Sequence, residues 1–142
     1  MVRNLWFLLI TTVLLGAVAS TVAEAQISIV VSKSSKQMAT PSELKQMFAG
    51  ARLTWSGGEK VMIADQSDSE VGKSFYQKFV EKSVSQIRTE WTKLVLSGQA
   101  SAPKKCSDDE AVKKALADNP NSVGFISTGA LDGTVKEIHR IN

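Results

Sequence analysis

Two short serine-rich loops follow predicted strands, and each stands close to a cation or to a capped helix. The first loop runs from Ser32 to Gln37, and the second from Gln66 to Ser69. Hydroxyl groups, backbone N–H groups at helix N-termini and Lys or Arg side chains are groups with which proteins hold small oxyanions. We therefore predict an anion site at these loops. Its candidate ligands are Lys33, Ser34, Ser35, Thr40, Arg52, Ser67 and Ser69.

The same hydroxyl groups have a second interpretation as helix caps. A Ser or Thr followed three residues later by Glu or Gln is the capping-box pattern, in which the side chains satisfy free N–H groups of the first turn. Under this interpretation no ligand is needed. The pattern stands at the start of each of the four predicted helices, at Thr40, Ser67, Ser83 and Ser107.

The chain offers few other groups for chemistry. His139 is the only histidine and Cys106 the only cysteine, and neither belongs to an acidic cluster at metal-ligand spacing. No nucleophile elbow, P-loop or dinucleotide fingerprint occurs. We predict no metal, no cofactor and no enzymatic activity. A periplasmic enzyme acting on a phosphorylated small molecule is an alternative, but it lacks a paired general acid and base and an activated nucleophile.

The first 25 residues have the pattern of a secretory signal peptide. Arg3 precedes an apolar run from Leu5 to Val18, and Ala23-Glu24-Ala25 supplies small residues for cleavage before Gln26. The alternative is a membrane anchor, for which the run is shorter than the roughly 20 residues needed to span a bilayer. We therefore predict an exported protein, periplasmic or secreted and soluble after cleavage, whose residues 26–142 form a single domain.

Charge and cysteine content narrow the class of protein further. The formal net charge is +3, and basic residues do not interleave with aromatic residues, so nucleic-acid binding is not expected. With one cysteine, the domain has no internal disulfide to stabilise it. We predict Cys106 to be an exposed loop thiol, either unpaired or linking two copies. The oligomeric state stays open.

The apolar pattern predicts strands and helices in alternation. Strands are expected at 27–31, 60–64, 122–126 and 134–138, and helices after Thr40, Ser67, Ser83 and Ser107. The order of elements predicts an α/β fold with a small mixed, largely parallel sheet flanked by helices. Trp55 and Trp91 could line a cleft, but aromatic residues at this spacing more often pack in the core. Arg88 is expected on a solvated helix face.

Three segments together resemble the phosphate ABC transporter substrate-binding protein family. The pattern Phe48-x-Gly50-x-Arg52-x-x-Trp55 is similar to a helix, stop and Trp segment of that family. Residues 60–91 resemble its strand, serine-rich loop and aromatic-bearing helices. Residues 119–126 resemble its "x-P-G-S-I-G-Y" strand. The resemblance implies a type II periplasmic binding fold, in which two α/β lobes close on a ligand.

The chain also departs from the family in two respects. Its length corresponds to roughly one lobe. The family's G-S-G-T phosphate loop is replaced by Ser67-Asp68-Ser69-Glu70-Val71-Gly72, so carboxylates stand where a dianion would bind. At about 4 Å each of them would repel an anion even in water.

We therefore hold two hypotheses. The leading one is an exported solute-binding-like protein that binds phosphate or a similar oxyanion and hands it to a membrane transporter. The alternative is a non-transport interaction or sensor-accessory module that has lost the ligand site.

Overall fold

The computed structural model describes residues 26–142, which form one five-stranded sheet with helices against both faces. The strands are β1 (Ile27–Ser32), β2 (Met62–Asp65), β3 (Lys104–Lys105), β4 (Ser122–Ser127) and β5 (Val135–Ile141), and their order in the sheet is β3-β2-β4-β1-β5. The helices are α1 (Pro41–Ala49), α2 (Glu70–Phe75), α3 (Val84–Leu96) and α4 (Asp109–Asp118). A π-helical turn, Tyr76–Val80, continues α2, and a 3-10 turn, Thr128–Ala130, follows β4.

Four of the five strands point the same way. β2 is parallel to β3 and to β4, whereas β1 lies antiparallel between β4 and β5. The predicted α/β fold with a mixed, largely parallel sheet is thus confirmed. The direction of β1 could not be predicted, because a strand buried on both faces has the same apolar pattern in either direction.

The larger core lies between the sheet and the helices α1, α2 and α3. At its centre the Phe125 ring stacks on Phe75 with centroids 3.9 Å apart, and Phe48 meets both rings edge-on. Trp55 and Trp91 are buried and donate their indole N–H groups to the carbonyls of Asn121 and Phe48 respectively. Both tryptophans therefore belong to the core, and Trp91 also lines a groove at the surface.

Helix α4 covers the other face of the sheet. Its Val112 and Leu116 pack with Val30, Ala64 and other residues in a second, smaller core. Gly124 of β4 permits this approach, since a Cβ there would lie 2.7 Å from the Val112 Cγ1 atom.

Two of the four predicted helix caps are present and two are displaced. Thr40 with Glu43, and Ser83 with Gln86, form complete capping boxes, and Pro41 and Gly50 bound α1 as expected. Ser67 and Ser107 do not cap. The caps are Ser69 for α2 and Asp108 for α4. Ser67 belongs instead to a turn closed by a hydrogen bond from Ser69 N to Gln66 O. The helix therefore begins later in the sequence, after Ser69.

Cys106 is buried, so its prediction as an exposed loop thiol is wrong. The predicted loop before it contains the short strand β3, which pairs with β2. As a result Cys106 N donates to Asp65 O at 2.8 Å, and its side chain is drawn into the second core. Burial raises the pKa of the thiol.

The predicted signal peptide, residues 1–25, lies outside the described residues. Within 26–142, none of the helices combines the length and the apolar character that crossing a bilayer requires. Export and the single-domain assignment remain predictions.

A buried lysine joins α4 to the loop that leads into β5. Lys113, only 9% exposed, donates to Glu110 at 2.9 Å and to Asp132 at 2.8 Å. Asp132 also accepts the Thr134 N–H. The Lys113 ammonium holds the pKa of Asp132 well below its usual range.

This pair predicts a loss of stability in acid. A carboxyl with a depressed pKa in the folded state stabilises the fold above its unfolded pKa of about 3.9 and loses that contribution as the pH falls below it. We expect Asp132→Asn to lower the urea midpoint at pH 6, and the difference from wild type to shrink as the pH falls below about 4. Asp118→Asn, which removes an exposed carboxylate at the end of α4, is the matched control. A constant difference for Asp132→Asn would contradict this role.

Candidate functional site

The carboxyl ends of three parallel strands meet at one edge of the sheet. β2 ends at Asp65, β3 ends beside it at Lys105, and β4 ends at Ser127. The loop of residues 66–69, named here the 66–69 loop, leaves β2 at this edge. In open α/β sheets this is where ligands bind.

The buried Gln66 side chain holds the 66–69 loop in place through hydrogen bonds. Its side chain is 1% exposed, and Nε2 donates to Asp109 Oδ1 at 2.7 Å and to Phe125 O at 2.8 Å. Its Oε1 accepts from Ser69 Oγ at 2.9 Å. Asp109 in turn accepts the Ser127 N–H. The loop is therefore attached to β4 and to the start of α4.

Helix α2 packs directly on this loop. Gly72 lies so close to it that an added Cβ would stand 2.0 Å from the Gln66 carbonyl oxygen. Ser69 Oγ accepts the Gly72 N–H at 2.9 Å and donates to Gln66. The Ser69 hydroxyl is thus engaged in capping and in holding the loop.

Arg88 reaches the loop from α3. Its Nη2 lies 3.4 Å from Ser67 Oγ and forms an ion pair with Asp68. Asp68 is largely exposed, and Arg88 is half exposed. The hydrogen bond from Arg88 lowers the pKa of Asp68. The arrangement places a guanidinium beside a serine hydroxyl, with a carboxylate of the same chain as its present partner.

A groove extends from Arg88 along α3. It has a volume of about 340 Å³, and its opposite wall is the segment Ala102 to Lys105. Asp65 and Tyr76 lie at its polar end, where the Tyr76 hydroxyl donates to Asp65 Oδ1 at 2.7 Å. Burial and the nearby Asp65 carboxylate raise the pKa of Tyr76 well above its ordinary value. Tyr76 is therefore a neutral donor at physiological pH.

The structure separates the predicted ligands of the first loop from those of the second. Because β1 runs antiparallel to β4, Lys33, Ser34 and Ser35 lie at the opposite edge of the sheet from Ser67 and Ser69. The register aligns Val31 with Val123 and Ile63, so Lys33 and Gln66 are roughly 15 Å apart along the strand direction. A single small anion cannot contact both loops.

The five predicted ligands outside the 66–69 loop form contacts within the fold. Ser35 is buried and accepts from Gln37 N, Lys33 N donates to Thr134 O, and Ser34 bonds to Ser32. Thr40 caps α1. Arg52 pairs with Glu43 and donates to Thr54 O.

The structure adds four residues to this edge of the sheet that the prediction of ligands left out. They are Gln66, Tyr76, Arg88 and Lys105. Arg88 was assigned to a solvated face, and it is half exposed, but that face points at the loop. A periodic pattern shows which residues of α3 face the core; it does not show which loop lies beside the exposed face.

The described residues contain no group of three or more His, Cys, Asp or Glu side chains that could hold a metal ion. This edge of the sheet brings two cations, Arg88 and Lys105, and the Ser67 hydroxyl beside a groove that is lined largely by apolar side chains.

Solved structures with the same fold include receptors for phosphate. An ABC-type phosphate transport receptor from Vibrio cholerae matches with a TM-score of 0.63 and 21% identity over 81% of this chain and 47% of the receptor. A putative phosphate ABC transporter substrate-binding protein from Clostridium perfringens, solved with bound phosphate, matches with a TM-score of 0.62 and 15% identity. This match covers 80% of this chain and 45% of that protein. PstS from Borrelia burgdorferi matches with a TM-score of 0.59 and 15% identity over 80% of this chain and 47% of PstS.

These matches confirm the predicted resemblance at the level of the fold. The chain spans less than half the length of the receptors it matches. No protein-family model and no curated protein matches the sequence.

Proposed function

We propose that this chain is an exported solute-binding-like protein that holds a small oxyanion such as phosphate for an ABC transporter or a related membrane system. The observation that carries the proposal is the position of Arg88 beside Ser67, at the carboxyl end of β2. The fold that places it there is shared with phosphate receptors. Those neighbours are receptors and not enzymes, in keeping with a binding role.

The bound oxyanion would replace the Asp68 carboxylate on Arg88. A guanidinium can donate two parallel hydrogen bonds to a phosphoryl group, as it does to a carboxylate. Ser67 Oγ adds a hydroxyl, and Lys105 adds a positive charge from the neighbouring strand. Because Asp68 competes for Arg88 and Asp65 also lies nearby, we expect weak binding, in the millimolar range.

Arg88 is half exposed and Asp68 largely exposed, so a ligand held there would be open to water on one side. This exposure also favours weak binding, since charged contacts are strongest where water is excluded. Weak binding suits a protein that passes its ligand on. The hand-over to a membrane transporter rests on the named function of the neighbours and is part of the proposal.

Titration calorimetry with inorganic phosphate tests the site. We expect Arg88→Ala to abolish measurable binding, and Asp68→Asn to tighten it by about fivefold, the Coulomb effect of removing one like charge at about 4 Å in water. Glu59→Gln removes an exposed carboxylate from the turn between Trp55 and Lys60 and should leave the dissociation constant unchanged. Heat from wild type equal to buffer dilution up to 10 mM phosphate would overturn the proposal.

A further inference from the structure

The groove along α3 is continuous with the proposed oxyanion site through a shared residue. Arg88 contacts Ser67 and Asp68 of the 66–69 loop, and it also lines the groove. Lys105 lines the groove as well, at the end of β3. An oxyanion held by Arg88 would therefore have the apolar part of the groove beside it.

The side of the groove formed by α3 includes large apolar side chains that are exposed to water. Ile87, Trp91 and Val95 recur every fourth residue and line one row, and Leu96 extends it. Leu96 is 83% exposed and Val95 is 36% exposed. Among the residues that the structure describes, the exposed large hydrophobic side chains are these two and Met38, so two of the three lie in the groove.

The charges at the polar end nearly cancel, so charge alone gives a ligand little affinity there. Two cations, Arg88 and Lys105, face two carboxylates, Asp65 and Asp68. A fully hydrated dianion gains little from this balanced group. A ligand that adds apolar contact gains along α3, because removing apolar surface from water is favourable and needs no charge.

We propose that the ligand class of this site is an organic phosphate ester or phosphonate with one apolar substituent. The phosphoryl group binds Arg88, Ser67 and Lys105, and the substituent lies against Trp91, Val95 and Leu96. The proposal rests on the proposed function, because it uses the same oxyanion site. It adds that the groove, and not the oxyanion group alone, determines which ligand is preferred.

Three probes separate the two ideas. Inorganic phosphate tests the oxyanion site, methylphosphonate supplies a small head group, and phenylphosphonate adds an aromatic substituent to the same head. We expect phenylphosphonate to bind at least about tenfold more tightly than methylphosphonate, less than full burial of a phenyl ring would give because the groove is open. Calorimetry on the purified protein as the cell produces it measures all three.

Two matched variants locate the preference. Leu96→Asn removes the most exposed apolar side chain of the groove and should lower the ratio between phenylphosphonate and methylphosphonate affinity by severalfold. Met38→Asn makes the same kind of change at another exposed position, 63% accessible, and should keep the ratio. Both side chains are exposed, so neither change should prevent folding.

Each outcome decides between the ideas. Equal binding of all three probes supports the oxyanion site and overturns the organic ligand. No binding of any probe overturns both. Phenylphosphonate binding that is lost in Arg88→Ala and weakened in Leu96→Asn supports the organic ligand, whatever the result for phosphate. A phenyl preference that is unchanged in Leu96→Asn overturns the assignment of the groove. Light scattering that shows a dimer broken by Leu96→Asn overturns it as well.

Discussion

Replacing Gly72 by alanine is expected to lower the free energy of unfolding by about 3 kcal/mol, the upper end of the usual cost of overpacking. For a domain of this size the melting temperature should fall by roughly 10 °C. Helix propensity alone predicts the opposite sign, since alanine in a helix is more favourable than glycine by up to about 1 kcal/mol. The direction of the change therefore separates packing from propensity.

The cost arises because the atoms around Gly72 belong to the backbone. An added Cβ would lie 2.0 Å from the Gln66 carbonyl oxygen and 2.7 Å from the Ser67 Cα atom. A flexible side chain could turn aside, but the Gln66 carbonyl accepts from Ser69 N and Oγ, and the Gln66 side chain is held by hydrogen bonds to Asp109 and Phe125. Helix α2 must shift away from the 66–69 loop, which would break the Ser69 cap.

Gly129→Ala is the matched control. Gly129 lies in the 3-10 turn after β4, and an added Cβ there meets no atom within 4 Å. We expect its melting temperature to stay within about 2 °C of wild type. Urea denaturation of both variants, with the phosphate dissociation constant measured on the folded protein, shows whether the shift of α2 also disturbs the site. A Gly72→Ala variant as stable as wild type would contradict the close approach.

The sequence predicted the helices well where a local signal defines them. The box formed by Thr40, Pro41 and Glu43 and the stop at Gly50 place α1 within a residue, because capping depends on atoms only three residues apart. Ser67 shows the limit of that signal. Ser69 and Asp108 have the same capacity to cap as the predicted Ser67 and Ser107. At α2 the turn at Gln66 selects Ser69 over Ser67.

The candidate site was predicted only in part, because it depends on pairing between distant strands. The Gln66 to Ser69 loop is at the expected edge of the sheet. Grouping it with Lys33 to Ser35 assumed that β1 and β2 point the same way. The antiparallel pairing of β1 with β4 moves that loop to the opposite edge, and no local feature of residues 27–32 encodes this choice.

Arg88 illustrates a second reason why the prediction of the site was incomplete. It is 20 residues from Asp68 in sequence, and it reaches the loop only because α3 packs across α1 and the sheet through Ile87 and Trp91. Those two buried side chains fix the rotation of the helix. The neighbouring residue Arg88 is thereby turned toward Ser67, a consequence of tertiary packing that a single sequence does not reveal.

Truncating Phe125 to alanine should cost about 4 kcal/mol, in the range measured for buried Phe to Ala changes. The ring is fully buried and meets three others: it stacks on Phe75 at 3.9 Å, and Phe48 and Tyr76 pack against it at 5.8 Å each. The rings around it belong to α1, to α2 and to the π-helical turn after α2. The cavity would therefore loosen three contacts between the sheet and its helices at once.

The change should also reach the site, because the Phe125 carbonyl accepts the Gln66 side chain at 2.8 Å. We expect a lower urea midpoint and a weaker oxyanion affinity in the fraction that remains folded.

Phe79→Ala is the control. That ring is partly exposed and meets Phe75 at 5.5 Å and His139 at 5.5 Å, at the margin of the core. Its truncation should cost less than half as much and leave the affinity unchanged, since Phe79 has no bond to Gln66. Equal losses of stability in the two variants would show that Phe125 does not hold the central place in the core that its contacts indicate.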